Sequence, residues 1–233
     1  MKEEGIEEKK KVPWPERKIV YPWDLSRFPY PLREKQTVLE FLRKAKYPLE
    51  KLQKKPESDK LIRAVNGVMQ KVLNRQWVLV VSTRAWLLHS MATVIPPCFA
   101  LTAMDPCRNV TTAYLIDLFM AKAPEDMWED DYAAETYAQI VKTGLLMWTG
   151  VNEIALGSKM HASRFADLLS ARWLKNYPTV FTAYSLDSLN KESILASIEE
   201  ALGTTAAGII KEKAVLMEFV LEEKTMKAEK IAL

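Results

Sequence analysis

The sequence predicts an α/β fold: a five-stranded parallel sheet with helices on both faces, three layers deep, preceded by an extended N-terminal arm and helices. Three observations predict it. Short apolar runs such as Trp77-Val78-Leu79-Val80-Val81 are continuous rather than alternating, which is the pattern of strands buried on both faces. Amphipathic stretches of helical period separate these runs, and strand–helix alternation builds parallel sheets. The chain of 233 residues is 48% hydrophobic and 27% charged, enough apolar side chain for one core of that size. The same composition excludes wholesale disorder, a collagen-like repeat and a disulfide scaffold.

Residues 1–31 read as the arm, and the first 18 are rich in Lys and Glu with little to bury. Prolines interleaved with aromatics at Pro13-Trp14-Pro15, Tyr21-Pro22-Trp23 and Phe28-Pro29-Tyr30-Pro31 forbid a helix or a central strand. That segment should lie extended and press Trp14, Trp23, Phe28 and Tyr30 into grooves, either of this domain or of a partner. The domain spans 32–220. A helix runs from Leu32, with Val38, Leu39, Phe41, Leu42 and Ala45 at helical spacing, until Pro48 ends it. A second covers Ser58 to Asn74, capped by Ser58 or Asp59. Strand one is Trp77–Val81, followed by a helix from Arg84 to Ala92. Strand two is Asn109–Thr112, running into a helix at Tyr114–Phe119. After an acidic segment, Glu125 to Asp131, a helix continues to Lys142. Strand three is Leu145–Trp148, and a long helix spans Lys159 to Lys175. Strand four is Pro178–Thr182, its proline at the permitted first position. A helix from Asp187 to Ala201 precedes strand five, Ala214–Phe219, and residues 221–233 form a charged tail.

Net charge is only +3, but it is unevenly spread. Arg17 to Arg75 holds 15 basic against 6 acidic residues, and Asp105 to Glu135 holds 2 basic against 8 acidic. Such a dipolar chain suits docking a partner or steering a polyanion, unless both runs are simply solvated helix faces. Cys98 and Cys107 form no Cys-x-x-Cys pair, and His89 and His161 lie too far away for a zinc set. Reduced, semi-buried thiols are expected, with a disulfide between them as the alternative. The longest apolar stretches, Trp77–Val81 and Val94–Leu101, fall far below the ~20 residues of a membrane span. The opening Lys2-Glu3-Glu4 does not lead into an apolar run, so the expected setting is cytoplasmic, without membrane contact.

In an open parallel sheet, ligands bind at the carboxyl ends of the strands. The tips are Ser82-Thr83-Arg84, Thr149-Gly150-Val151-Asn152-Glu153 and Ala183-Tyr184-Ser185. A nucleotide hydrolase needs Gly-x-x-x-x-Gly-Lys-Ser/Thr at the first tip, so that backbone amides can cradle phosphates. This tip reads Ser-Thr-Arg-Ala-Trp-Leu, with bulky Trp86 where an open loop belongs, and the whole chain has only 7 glycines. The third strand's tip offers Thr149 and Gly150 where a magnesium-binding acid is needed.

The segment Val110-Thr111-Thr112-Ala113-Tyr114-Leu115-Ile116-Asp117 and the strand Leu145–Trp148 form a recurring framework. Arg164, Leu168-Leu169, Arg172-Trp173, Pro178–Thr182 and Val215–Phe219 extend it. Over Arg75 to Phe219, with Asp24-Leu25-Ser26-Arg27 ahead of it, the chain resembles the AAA+ ATPases that load the bacterial replicative helicase. It resembles equally the ATP-binding subunits of certain transposons. The resemblance implies a P-loop-NTPase-like (AAA+-like) sheet with ATP and magnesium at its tips. At the matching positions Ser82, Thr83 and Arg84 replace the phosphate loop, Thr149 and Gly150 the paired acids, and Tyr184 the water-orienting asparagine. Gly203 to Ile210 lacks the arginine expected before the last strand. These six positions form a vestigial pocket, so no catalytic residue, bound cofactor or metal is expected.

No substitute active site announces itself. Glu153 reads as a lone general base or a surface residue, and His89 as a hydrogen-bonded core or boundary histidine. His161 near Ser158 and Ser163 lacks a Gly-x-Ser-x-Gly elbow. Arg84 either meets an anion at a helix start or stands exposed. The basic positions Arg43, Lys44, Lys46, Lys51, Lys54, Lys55, Lys60 and Arg63 lie near Trp23, Tyr30 and Tyr47, the mixture that holds single strands by charge and stacking. A solvated lysine-rich face is the alternative. The expected function is that of a non-hydrolysing, helicase-loader-like accessory protein of DNA replication or a mobile element. It would bind a replicative helicase or related ATPase, and single-stranded DNA. An ATP- and magnesium-using enzyme with an atypical loop, or an adaptor without nucleic-acid contact, are the alternatives.

Overall fold

The computed structural model describes residue 19 and residues 57–120, 130–153, 159–185 and 190–219. The rest of the arm, the helix expected from Leu32, the charged tail and the basic positions Arg43 to Lys55 lie outside the described residues.

Five strands pair in parallel in the order β2-β3-β4-β1-β5: β1 (Trp77–Ser82), β2 (Cys107–Thr111), β3 (Leu145–Thr149), β4 (Thr179–Tyr184) and β5 (Ala214–Phe219). The helices are α1 (Glu57–Leu73), α2 (Ala85–Ala103), α3 (Thr112–Met120), α4 (Asp130–Lys142), α5 (Lys159–Leu174), α6 (Lys191–Leu202) and α7 (Thr204–Lys213). Because side chains alternate along a strand, each central strand feeds two cores. Trp77, Leu79, Val81, Leu146, Trp148, Phe181 and Ala183 pack with α3 to α7 on one face. Val78, Val80, Leu145, Met147 and Val180 pack with α1 and α2 on the other. Every residue of β1 is buried, as its continuous apolar run requires, whereas the edge strands β2 and β5 are only partly covered. Ile19 packs against the α1–α2 core, so the arm touches this domain at that residue.

On the larger face the aromatics form a connected layer. Ring centroids lie 5.7 Å apart for Trp77–Phe181, 5.9 Å for Trp148–Phe181, 5.4 Å for Trp148–Phe165 and 5.3 Å for Phe119–Phe165. Both buried indoles find acceptors, as buried Trp usually does. Trp77 Nε1 donates to Tyr177 O at 2.9 Å, and Trp148 Nε1 to Thr112 Oγ1 at 3.0 Å.

Arg172 is completely buried in α5. Its Nη1 donates to Ile140 O at 2.8 Å, Val141 O at 3.3 Å and Thr143 O at 3.0 Å, the carbonyls left over where α4 ends. Its Nε donates to Thr179 Oγ1 at 3.0 Å and its Nη2 to Pro178 O at 2.7 Å. Burial pulls the guanidinium down to about 9, against the opposing influence of Tyr177, so it stays charged at neutral pH. Two turns earlier, Arg164 Nη1 donates to Phe119 O at 3.0 Å, near the C-terminus of α3. Each arginine therefore places positive charge at the negative end of a helix dipole.

Three elements depart from expectation. The helix after β1 does not stop at Ala92 but continues through Pro96 and Pro97 to Ala103. Prolines withdraw the N–H groups that Ala92 O and Thr93 O would receive, ordinarily a loss of about 3 kcal/mol in a helix interior. Asn109 of β2 replaces one donor, giving Nδ2–H to Ala92 O at 3.3 Å, and Cys107 Sγ donates to Pro96 O at 3.2 Å. Burial of Val94, Ile95, Cys98, Phe99 and Leu101 offsets the rest. The expectation that no apolar stretch approaches a membrane span is thereby corrected. By length and composition, α2 is the one such helix among the described residues, and 67% of its apolar window is buried within the domain. The second departure is α7, which begins immediately after α6 at Gly203, whose φ of 86° turns the chain between them. The start of α6 also moves, from the expected Asp187 to Lys191, where Asn190 Oδ1 accepts from Glu192 N at 2.9 Å.

Both cysteines are free. Burial pushes the Cys107 thiol up to about 12 and Cys98 well above its ordinary value. A folded-state value above the unfolded one gives stability that is complete below pH 9 and is lost as pH rises through 12. Urea unfolding of the wild type should therefore weaken, relative to Cys107→Ala, between those limits. The slope should be at most about 1.4 kcal/mol per pH unit. Parallel pH profiles for the two proteins would show that the thiol is not buried as described.

Candidate functional site

β1 and α2 are joined by Thr83 and Arg84 alone. Ser82 is buried at the strand's end, where its hydroxyl donates to Phe219 O at 3.0 Å and accepts from Arg84 N at 3.1 Å. Ser185 N donates to Ser82 O at 3.2 Å, so the tips of β4, β1 and β5 are tied together. Arg84 occupies the N-cap position of α2 with extended backbone, and its carbonyl accepts from Leu87 N at 3.1 Å. Trp86 does not occupy the tip as its bulk suggested; it is 41% exposed on the first turn of α2. The turn is closed by the Ser82 hydroxyl instead.

The tip of β3 turns at Gly150, whose φ of 68° suits glycine. Gly150 N donates to Thr182 Oγ1 at 3.2 Å and Val151 N to Thr182 O at 3.0 Å, extending the β3–β4 pairing. Glu153 folds back over Gly150, and any Cβ there would collide with its carboxylate. Thr112 Oγ1 donates to Gly150 O at 2.9 Å while accepting from the Trp148 indole, linking this turn to the aromatic layer. Asn152 pairs with the backbone of Tyr184: its Nδ2 donates to Tyr184 O at 2.7 Å, and its Oδ1 accepts from Tyr184 N at 3.1 Å. Asn152 is a positioning residue that sequence reasoning passed over. A polar amide two residues after a turn glycine was the available signal.

Between these tips and the first turns of α2 lies a cleft of about 560 Å³. Ala85, Leu88, His89, Ala92 and Thr93 form its α2 wall, and Asn109, Val110 and Thr111 of β2 face them. Thr149 and Glu153 from the β3 tip, with Thr182 and Tyr184 of β4, close the far end. Of the six tip positions singled out in the sequence, the structure brings Thr149 and Tyr184 into the cleft. It places Ser82, Thr83, Arg84 and Gly150 in the turns beside it. His89 is exposed at this cleft rather than held at a core boundary, and Glu153 is exposed there too. His161 is buried near the start of α5, and Ser163 is exposed. Of the basic segment, Lys60 falls in α1 and Arg63 is exposed on it; the others lie outside the described residues.

An all-parallel sheet with β4 between β1 and β3, covered on both faces and open at its carboxyl ends, defines a three-layer α/β domain. Comparison with solved structures narrows the class. The fold matches a crystal structure of the DnaC helicase loader with a TM-score of 0.56, over 72% of this chain and 92% of that one, at 10% identity. A crystal structure of DnaI aligns with 71% of this chain and 86% of its own at 18% identity, with a TM-score of 0.47. The replication initiator DnaA bound to AMPPCP and single-stranded DNA aligns with 70% and 46% at 10% identity, with a TM-score of 0.49. The sequence matches no protein-family model and no curated protein. At such identities the likeness is one of fold: the chain has the fold of the DnaC helicase loader.

Proposed function

We propose that this chain is a non-hydrolysing AAA+-like accessory protein of DNA replication or a mobile element, acting in the cytoplasm by binding. The observation that carries the reading is the first-strand tip. Cradling a triphosphate takes a loop of several residues whose amides converge on the phosphates. Here two residues connect strand to helix, and the Ser82 hydroxyl is committed to Phe219 O and Arg84 N. Thr149 Oγ1 donates to Val110 O at 3.2 Å where a magnesium ligand would stand. The residues present do not fit ATP and magnesium.

The fold shared with a helicase loader supports a replicative helicase or related ATPase as the partner. The basic excess between Arg17 and Arg75, with Arg63 exposed on α1, supports contact with single-stranded DNA through phosphate neutralisation. Equilibrium binding of labelled ATP, with and without magnesium, tests the central claim. No saturable binding below about 1 mM is expected, and micromolar affinity with turnover would overturn it. A gel shift with single-stranded DNA should weaken steeply with salt; a salt-insensitive result points to an adaptor without nucleic-acid contact.

A further inference from the structure

We infer that the free edge of β2 binds a second copy of this chain. The two β2 strands pair antiparallel about a two-fold axis at Asn109, joining both sheets into one. β2 ends the strand order β2-β3-β4-β1-β5, so only one of its edges is paired within the described residues. Leu145 N donates to Pro106 O at 3.1 Å and Thr149 Oγ1 to Val110 O at 3.2 Å, which turns those carbonyls toward β3. Alternation along the strand then points the N–H and C=O of Cys107 and Asn109, and the N–H of Thr111, away from the sheet. Asn109 and Thr111 are exposed, and β2 with Tyr114 lines a groove of about 440 Å³.

Proteins usually blunt such an edge with proline, lysine or a bulge. β2 carries none of these: its five residues run Cys-Arg-Asn-Val-Thr, in unbroken register with β3. Its one charge, on Arg108, is drawn aside to Gln139 Oε1. The Cys107 and Asn109 side chains turn to Pro96 O and Ala92 O of α2 and leave the edge uncovered. A two-fold axis at Asn109 lets the two Asn109 main chains exchange hydrogen bonds and brings Thr111 N–H to Cys107 O of the other copy. Arg108 then lies opposite Val110 rather than opposite a like charge.

Two exposed apolar side chains select a second copy over an unrelated strand. Met104 is 40% exposed and Tyr114 39%, and they stand five residues before and five after Asn109. Antiparallel pairing carries Tyr114 of each copy to the end of the interface that holds Met104 of the other. Sulfur–aromatic contact there takes both side chains out of water. An interface this small belongs with weak, reversible dimers. It needs neither nucleotide nor DNA.

Sedimentation velocity of the full chain should show a monomer–dimer equilibrium with a dissociation constant between about 10 μM and 1 mM. Asn109→Pro removes the outward N–H at the axis but no bond to β3, since proline is tolerated on an edge strand, and should weaken dimerisation by at least about 10-fold. Asn109→Ala loses the side-chain bond to Ala92 O but keeps the main-chain donor, and should dimerise within about 3-fold of wild type. Met104→Asn suits the left-handed backbone at that position, φ 59°, and should weaken dimerisation about 5- to 20-fold. A short bismaleimide should join a Met104→Cys chain to a Tyr114→Cys chain, and should not join two copies of either. If Asn109→Pro does not fold, Met104→Asn and the cross-link decide. A chain still monomeric at about 1 mM, folded Asn109→Pro dimerising as tightly as wild type, or cross-links between like positions overturns the inference.

Discussion

Replacing Arg172 with methionine is expected to lower the unfolding free energy by about 3–5 kcal/mol, because each buried acceptor left without a donor costs about 1–3 kcal/mol. Methionine fills much of the volume but donates nothing, and the carbonyls of Ile140, Val141, Thr143 and Pro178 would stay buried without the donor they have now. Since a domain is stable by only about 5–15 kcal/mol, this change alone takes a large share. Arg172→Lys should recover part of the loss, because an ammonium is a compact charge whose three donors cannot reproduce the planar fork. Urea denaturation followed by circular dichroism measures both. A loss below about 1 kcal/mol for the methionine variant would mean that the carbonyls find other partners.

Trp148→Ala should cost about 3–5 kcal/mol, by loss of apolar burial and by the cavity left between Phe165 and Phe181. Trp148→Phe separates the contributions: most of the volume remains, but the donor to Thr112 Oγ1 is gone, and a loss of about 1–3 kcal/mol is expected. Equal losses for the two variants in urea titrations would show that the indole hydrogen bond, rather than packing, dominates. Neither change should alter the denaturant slope if the native and denatured states keep their compactness.

The central strands were legible because a strand buried on both faces writes itself as an unbroken apolar run, as at Trp77–Val81 and Leu145–Trp148. The carboxyl-end location of the cleft followed from the sheet type alone. The full length of α2 was not legible. Pro96-Pro97 reads locally as a breaker, and the donor that compensates, Asn109, belongs to the next strand. A hydrogen bond between residues 17 apart leaves no periodic trace. α7 escaped notice because Thr204–Lys213 is short and weakly amphipathic, and its entry depends on the dihedral of Gly203. The direction of the hydrogen bonds around the cleft was hidden for the same reason as α2. Composition counts Thr93, Thr149 and Asn109 as donors and acceptors alike, and only the folded chain decides where each proton goes. Arg164 and Arg172 stood out as parts of a framework, yet their roles emerged only with the carbonyls they meet.

Those two arginines give α5 an unusual position in the domain's breathing. The last turns of α3 and α4 are both fastened to it, one through Phe119 O and the other through Ile140, Val141 and Thr143. Neither helix end can therefore fray while α5 stays seated, and lifting α5 releases both at once. In native-state hydrogen exchange, amides in those distant turns should share a single opening energy, behaving as one cooperative unit although the sequence separates them by more than twenty residues.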